Sequence, residues 1–351
     1  MRPKKFIETC KILFANRMSI LVAGSPGIGK TQILKMIAKQ LGMDVMFYHP
    51  QYADHGEVAG VTWVWVSPDG KEMKADRVPL ANVEPIFTAD KPTLVIIDDL
   101  GHAMQSIQNS FMQLVEERRI GIRPISKHIV FAASTNRKED SAGAKTITST
   151  MSNRFQTTVT LEPSVEDLIE YALSANWNDG MPAYLNFSHS KADPVFELPP
   201  KDGAPFCTPR SLDKLQAMES AFELEGLTLW REAPELVSGT IGIKQADRYV
   251  GFMKVRGEIE GLPQAVYKDP DTADVPQRPD VQYALVGAIA MRATGKNMGT
   301  MIKYLKRLPK EMEVVGVMDA CRRDKNLKNC TAYNEWIVAN QKWIINNNDD
   351  E

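Results

Sequence analysis

Eight residues, GSPGIGKT at positions 24–31, constrain this chain more than any other stretch. They lie between an apolar strand candidate, MSILVA (18–23), and a helical pattern of Ile33, Leu34, Ile37, Ala38 and Leu41 that Gly42 ends. The spacing is that of a phosphate loop, GxxxxGK[ST], in the strand–loop–helix setting the motif needs. Glycines let successive backbone N–H groups turn inward around phosphate oxygens, and the helix N-terminus adds a favourable dipole. Gly24, Ser25, Pro26, Gly27, Ile28 and Gly29 would form the cradle, Lys30 would reach the β- and γ-phosphates, and Thr31 would place its hydroxyl on Mg²⁺. The competing reading is a glycine turn without a ligand.

A phosphate loop needs an acid from a second strand. LVIIDDL (94–100) supplies one: Leu94 to Ile97 read as a short strand buried on both faces, and Asp98 stands at its C-terminal end, where ligands bind in an open α/β sheet. Asp98 is the candidate magnesium ligand. Asp99 has two readings, a base that orients an attacking water or a cap for the following helix.

Around these motifs strands and helices alternate. Asp44–His49 reads as a strand, and VTWVWVSPDGKEMKADRV (61–78) as a hairpin around a Ser-Pro-Asp-Gly turn. A helix with Met104, Ile107, Phe111, Leu114 and Val115 on one face follows the acid strand. HIVFAASTN ends a further strand at Asn136, and TTVTLE (157–162) is another. The pattern predicts an α/β fold, a parallel sheet flanked by helices. After Pro163 the strands stop. SVEDLIEYALSANW is helical, residues 181–210 read as a Pro-rich connection, and 211–225 are helical again. The remainder is mostly helical, interrupted at 269–280, with a frayed tail NNNDDE.

Composition excludes some function classes. Lys and Arg total 42 against 44 Asp and Glu, so no basic excess recommends a nucleic-acid partner. No apolar stretch approaches the roughly 18 residues of a membrane span. The N-terminus breaks its apolar face with Glu8, Lys11 and Arg17, which suits a short amphipathic helix of a cytoplasmic protein rather than a signal peptide. Cys10, Cys207, Cys321 and Cys330 show no CxxC spacing and read as reduced thiols; the histidines lack the i,i+4 spacing of a helical metal site.

GSPGIGKT, LVIIDDLGHAMQSIQNSFMQLVEERRI, the strand ending STN, MSNRF and CTPRSL occur in the order found in AAA+ ATPases, and within these the chain resembles the MoxR-like group. The finer likeness rests on the hairpin before the acid strand, the VEERRI helix end and the PRSL motif. The resemblance implies a P-loop AAA+ core over 1–162 with the hairpin insertion at about 61–78, a helical lid over 163–230 and a mostly helical extension over 231–351. It implies that Asn136 is sensor 1, that Arg154 is an arginine finger reaching a neighbouring subunit's nucleotide, and that Arg210 is sensor 2 on the lid helix. ATP and Mg²⁺ are the cofactors it implies, and a homo-hexamer the assembly. The partner it implies is a client protein or a protein with a von Willebrand factor A domain. The alternatives are a DNA-transacting motor or loader and a slowly hydrolysing, nucleotide-gated scaffold.

One residue departs from the family. The acid strand usually ends Asp-Glu, whereas this chain has Asp98-Asp99. A side chain one methylene shorter sets the carboxylate back by roughly 1.5 Å. Misplacement by about 1 Å can cost on the order of a hundredfold in rate, so slow hydrolysis is expected. Trp63 and Trp65 alternate along the hairpin: they either pack on the domain itself or contact a partner, as such hairpins do in the resembling family. The hairpin charges, Lys71, Lys74 and Arg77 against Asp69, Glu72 and Asp76, cancel, which weighs against a grip on DNA.

Overall fold

The computed structural model describes residues 1–346 apart from 54, 138–139, 141–146, 191–193, 258 and 260. Residues 347–351, in the tail expected to fray, lie outside them. The chain forms two compact units, residues 1–163 and 164–351.

The first unit runs α1 (Pro3–Ala15), β1 (Ile20–Ala23), α2 (Lys30–Gln40), β2 (Asp44–Tyr48), α3 (His55–Ala59), β3 (Val61–Val66), β4 (Met73–Val78), α4 (Pro85–Thr88), β5 (Thr93–Ile97), α5 (Gln105–Glu117), β6 (Arg119–Ile120), β7 (Arg123–Pro124), β8 (Ile129–Thr135), α6 (Ser149–Ser152) and β9 (Thr157–Thr160). Five strands form a parallel sheet in the order β2-β5-β8-β1-β9. Side chains alternate across a strand, and β5 shows what that does when both faces are covered. Leu94 and Ile96 pack with Phe6, Phe14, Leu34 and Ile37 of α1 and α2, while Val95 and Ile97 pack with Phe111, Leu114 and Val115 of α5. Every residue of β5 is buried for this reason. Phe131, at the centre of β8 and fully buried, stands for the energetics: truncation to Ala removes about 3–5 kcal/mol. The N-terminal segment is the amphipathic helix expected, with Phe6, Cys10 and Phe14 turned inward.

The order of the sheet matters for function. The C-terminal ends of β5, β8 and β1 lie side by side, because β8 pairs with β5 on one edge and β1 on the other. LVIID, the STN strand and the glycine-rich loop therefore open onto one place, the carboxyl edge of a parallel sheet.

The hairpin β3–β4 stands apart from both cores, and its described side chains are exposed or half-exposed on both faces. Trp63 is 62% exposed and Val64, pointing the other way, 52%. Among the described residues, neither Trp63 nor Trp65 joins a buried core of this unit.

The second unit is helical: α7 (Val165–Ser174), α8 (Gly180–Ser190), α9 (Pro209–Leu224), α10 (Leu229–Glu232), α11 (Pro234–Ile241), α12 (Ile243–Gly257), α13 (Leu262–Lys268), α14 (Pro279–Ala290), α15 (Met298–Leu305), α16 (Lys310–Arg323) and α17 (Thr331–Asn346). Helix α8 corrects the sequence reading, which placed a connection over 181–210. Its Pro182 falls in the first turn, where the missing N–H costs nothing, and Met181, Ala183, Tyr184 and Leu185 are buried. The packing draws no line at residue 230. One continuous core runs from Leu168 through Leu215, Tyr249 and Leu285 to Trp336, so the expected lid and extension share a single apolar interior. Among the described residues, no helix is long and apolar enough to cross a membrane.

Candidate functional site

The loop after β1 is shaped by glycine at two points. A Cβ on Gly24 would sit 2.5 Å from Ile28 Cδ1 and 2.7 Å from the carbonyl oxygen of Leu161, so no larger residue fits. Gly29 takes a φ of 91°, in the left-handed region that costs glycine nothing, and from it α2 begins at Lys30. The helix N-terminus thus directs its unpaired N–H groups and its positive dipole end at the space over the loop.

Lys30 is almost wholly buried. Its ammonium donates to the carbonyls of Gly24 and Ser25 at 2.8 and 3.0 Å and to Asn136 Oδ1 at 2.8 Å. The predicted phosphate lysine and the predicted sensor are therefore in direct contact, one from the loop after β1 and the other from the end of β8. Thr31 donates its hydroxyl to Asp98 Oδ1 at 2.8 Å, joining the other predicted pair. Hydroxyl and carboxylate are hard oxygen donors of the kind Mg²⁺ takes, so Thr31 and Asp98 are the residues that would hold the ion. Among the described residues no group of three or more His, Cys, Asp or Glu side chains is placed to hold a metal.

Four residues to which the sequence reading gave no role complete the site. Ser134, fully buried on β8, donates to Asp98 Oδ1 at 2.5 Å and accepts from the backbone N–H of Asp99 at 3.0 Å. His102 stands with Nε2 3.1 Å from Asn136 Nδ2. Arg137 donates to Ser25 Oγ at 2.6 Å, while Asp140 accepts from Ser25 at 3.0 Å and from Arg137 at 2.6 and 3.0 Å. The Asp140 side chain is fully buried, so this charge is neutralised by Arg137 and fixed against the phosphate loop. Sequence offered a partial signal for these: polar residues inside an apolar strand, or directly after it, must find partners when buried.

Asp99 is half-buried beside the site. Its φ of 53° and ψ of 42° place it in the left-handed region, and it precedes a single 3₁₀ turn, Leu100–His102. It occupies the cap position, yet its side chain makes no capping hydrogen bond. The capping role accounts for its position in the chain and not for its carboxylate.

Two predicted residues remain, Arg154 in the first unit and Arg210 in the second. Arg154, just past α6 and anchored by the buried Phe155, forms an ion pair with Glu116 on α5. Arg210 belongs to the second unit and is exposed in the first turn of α9, a helix started by a capping box between Thr208 and Ser211.

Residues 19–165 match the family model described as AAA domain (dynein-related subfamily). No curated protein sequence matches the chain. Solved structures similar to it include the RuvB Holliday junction branch migration motor of Thermotoga maritima, at 14% identity and a TM-score of 0.44, covering 75% of this chain and 76% of that one. NtrX from Brucella abortus in complex with ADP is similar at 13% identity and a TM-score of 0.40, covering 92% and 67%. A putative ATPase from Cytophaga hutchinsonii is similar at 12% identity and a TM-score of 0.32, covering 89% and 79%.

Proposed function

We propose that this chain, whose residues 19–165 match an AAA domain, is an AAA+ ATPase that couples Mg²⁺-dependent ATP binding and hydrolysis to the remodelling or activation of a partner protein, in the manner of the MoxR-like group. The observation that carries the ATPase reading is the convergence of Lys30, Thr31, Asp98 and Asn136 at three adjacent strand ends through direct hydrogen bonds. Phosphoryl transfer asks for little covalent chemistry from a protein and much positioning and charge stabilisation. In this reading the loop N–H groups and Lys30 would neutralise the phosphates, and Thr31 and Asp98 would hold the Mg²⁺ ion. Bound there, Mg²⁺ supplies charge neutralisation of the phosphate oxygens. Asp99 orients the attacking water and Asn136 helps to fix it. Arg154 acts from a neighbouring subunit of a homo-hexamer, and Arg210 from the lid.

What favours a protein as the partner is the hairpin. Apolar side chains exposed on both faces of a two-stranded ribbon, Trp63 and Trp65 on one and Val64 and Val66 on the other, mark an interaction surface. Its charged residues cancel, as a protein contact tolerates and a phosphate backbone does not. A protein with a von Willebrand factor A domain is the first candidate.

The test is ATP turnover of the purified protein alone, with candidate partner proteins, and with single- or double-stranded DNA, with Lys30→Ala as the control. Stimulation by a protein partner that Trp63→Ala/Trp65→Ala abolishes supports the reading. Stimulation by DNA alone would move the function to the DNA-transacting class. Turnover equal in wild type and Lys30→Ala would remove the ATPase assignment.

A further inference from the structure

Asn136 carries an amide with two different ends, and its role depends on which end faces the phosphate loop. Lysine has donors only. Since Lys30 Nζ lies 2.8 Å from Asn136, the amide must present its oxygen there. The Nδ2 group, which only donates, is then left facing His102 Nε2 at 3.1 Å. For that contact to bind rather than repel, Nε2 must offer its lone pair to the amide. The orientation of the amide is thus set by two contacts, Lys30 on its oxygen and His102 on its nitrogen.

The backbone explains how His102 reaches this place. Asp99 turns through the left-handed region, and the 3₁₀ turn that follows closes with the N–H of His102 donating to the Asp99 carbonyl at 2.9 Å. The tight turn folds the chain back over the end of β8, which carries Asn136. The imidazole itself is exposed, so it contributes little to the core.

We propose that His102 is a positioning residue for ATP hydrolysis: as a hydrogen-bond acceptor it holds the Asn136 amide with its oxygen on Lys30, where an amide held by Lys30 alone would spend more of its time reversed. The proposal rests on the ATPase reading of the site. Acceptor capacity at position 102 is what matters. A donor-only side chain faces the Nδ2 group with another donor. Turning the amide to satisfy that donor sets Nδ2 against the Lys30 ammonium. Either arrangement loses one of the two contacts.

The experiment compares His102→Gln, His102→Ala and His102→Lys, substitutions at an exposed position, for ATP turnover and ATP affinity. His102→Ala is expected to lower kcat about tenfold, the scale of one lost hydrogen bond in the transition state, with KM within about threefold of wild type. His102→Lys should be slower still, and His102→Gln, whose amide oxygen accepts, should recover most of the loss. In an Asn136→Ala background all three should turn over alike, because the group they orient is gone. Equal rates for Gln and Lys, a loss confined to KM, or His102→Lys as fast as an active wild type would overturn the role of His102 while leaving the ATPase reading intact. A wild-type protein that binds ATP without turning it over would overturn that reading and this proposal together.

Discussion

Ser134 and Asp98 are joined by a 2.5 Å hydrogen bond between neighbouring strand ends, and the same carboxylate oxygen accepts from Thr31 at 2.8 Å. The serine hydroxyl also takes the backbone N–H of Asp99. One buried side chain therefore orients the acid assigned to magnesium and anchors the backbone of the acid assigned to water.

Removing that hydroxyl gives the first prediction. Ser134→Ala should weaken Mg²⁺-dependent ATP binding by about tenfold, the consequence of losing a buried hydrogen bond to a charged group. Binding measured in the presence of chelator should change little, since the phosphate loop is untouched. Titration calorimetry with and without Mg²⁺ separates the two, and equal losses in both would show that Ser134 serves the loop rather than the ion.

Asp99 carries the second prediction. Asp99→Asn should leave ATP binding nearly intact and lower single-turnover hydrolysis by about a hundredfold or more, within the range for general-base catalysis. The backbone adds a reason for the short acid that the sequence alone did not offer. Asp and Asn are the residues that tolerate a left-handed conformation, and a longer side chain there is strained. Asp99→Glu, which introduces the longer acid of the family the sequence resembles, should accordingly lower the melting temperature relative to Asp99→Asn. It should gain hydrolysis only if reach outweighs that strain. Hydrolysis by Asp99→Asn at the wild-type rate would return the residue to a plain cap.

The difference between what sequence showed and what it hid is one of range. The phosphate loop is a local object, and its glycines and lysine are spaced by the ligand they serve, so it is legible along the chain. Strand β5 is legible because burial on both faces leaves it wholly apolar. Ser134 and His102 act only across the sheet. They meet Asp98 and Asn136 because β5 and β8 pair in a register that sets Ile97 against Ala133, and no pattern within either strand encodes that offset. Helix α8 was hidden by Pro182, whose place in a first turn cannot be told from a loop without knowing where the helix starts. Trp63 and Trp65 fall on one face of their strand, and only the fold reveals that both remain exposed.

The helical unit yields a prediction about pH. Glu219 on α9 is buried; Tyr249 donates to its Oε1, and Oε2 has no hydrogen-bond partner among the described residues. Burial pushes this carboxyl from 4.5 up to about 7, partly offset by the tyrosine hydroxyl. Below the unfolded value both states hold the proton and there is no penalty. Between that value and about 7 only the folded state holds it, so stability falls as pH rises through this window and stays low above it. Glu219→Gln should remove that slope, giving a protein whose urea midpoint changes less between pH 5 and pH 8 than wild type. An unchanged slope in the variant would place the titration elsewhere.

Arg154 decides whether the active site is shared between subunits. Within one chain its guanidinium pairs with Glu116, and both side chains are substantially exposed, so the pair itself contributes at most about 1 kcal/mol. A role confined to that pair and a role as a finger in a neighbouring site make different predictions. If Arg154 serves only Glu116, then Glu116→Ala and Arg154→Ala should behave alike, with small effects on stability and none on turnover. If it reaches across an interface, Arg154→Ala should bind ATP normally and lose hydrolysis, while Glu116→Ala retains it. Mixing Arg154→Ala with Lys30→Ala should then restore part of the activity, because some interfaces combine an intact phosphate loop from one subunit with an intact arginine from the next. Native mass spectrometry establishes that mixed assemblies have formed, and the ATPase rate is followed over a range of mixing ratios. Absence of recovery in verified mixed assemblies would confine Arg154 to its own chain.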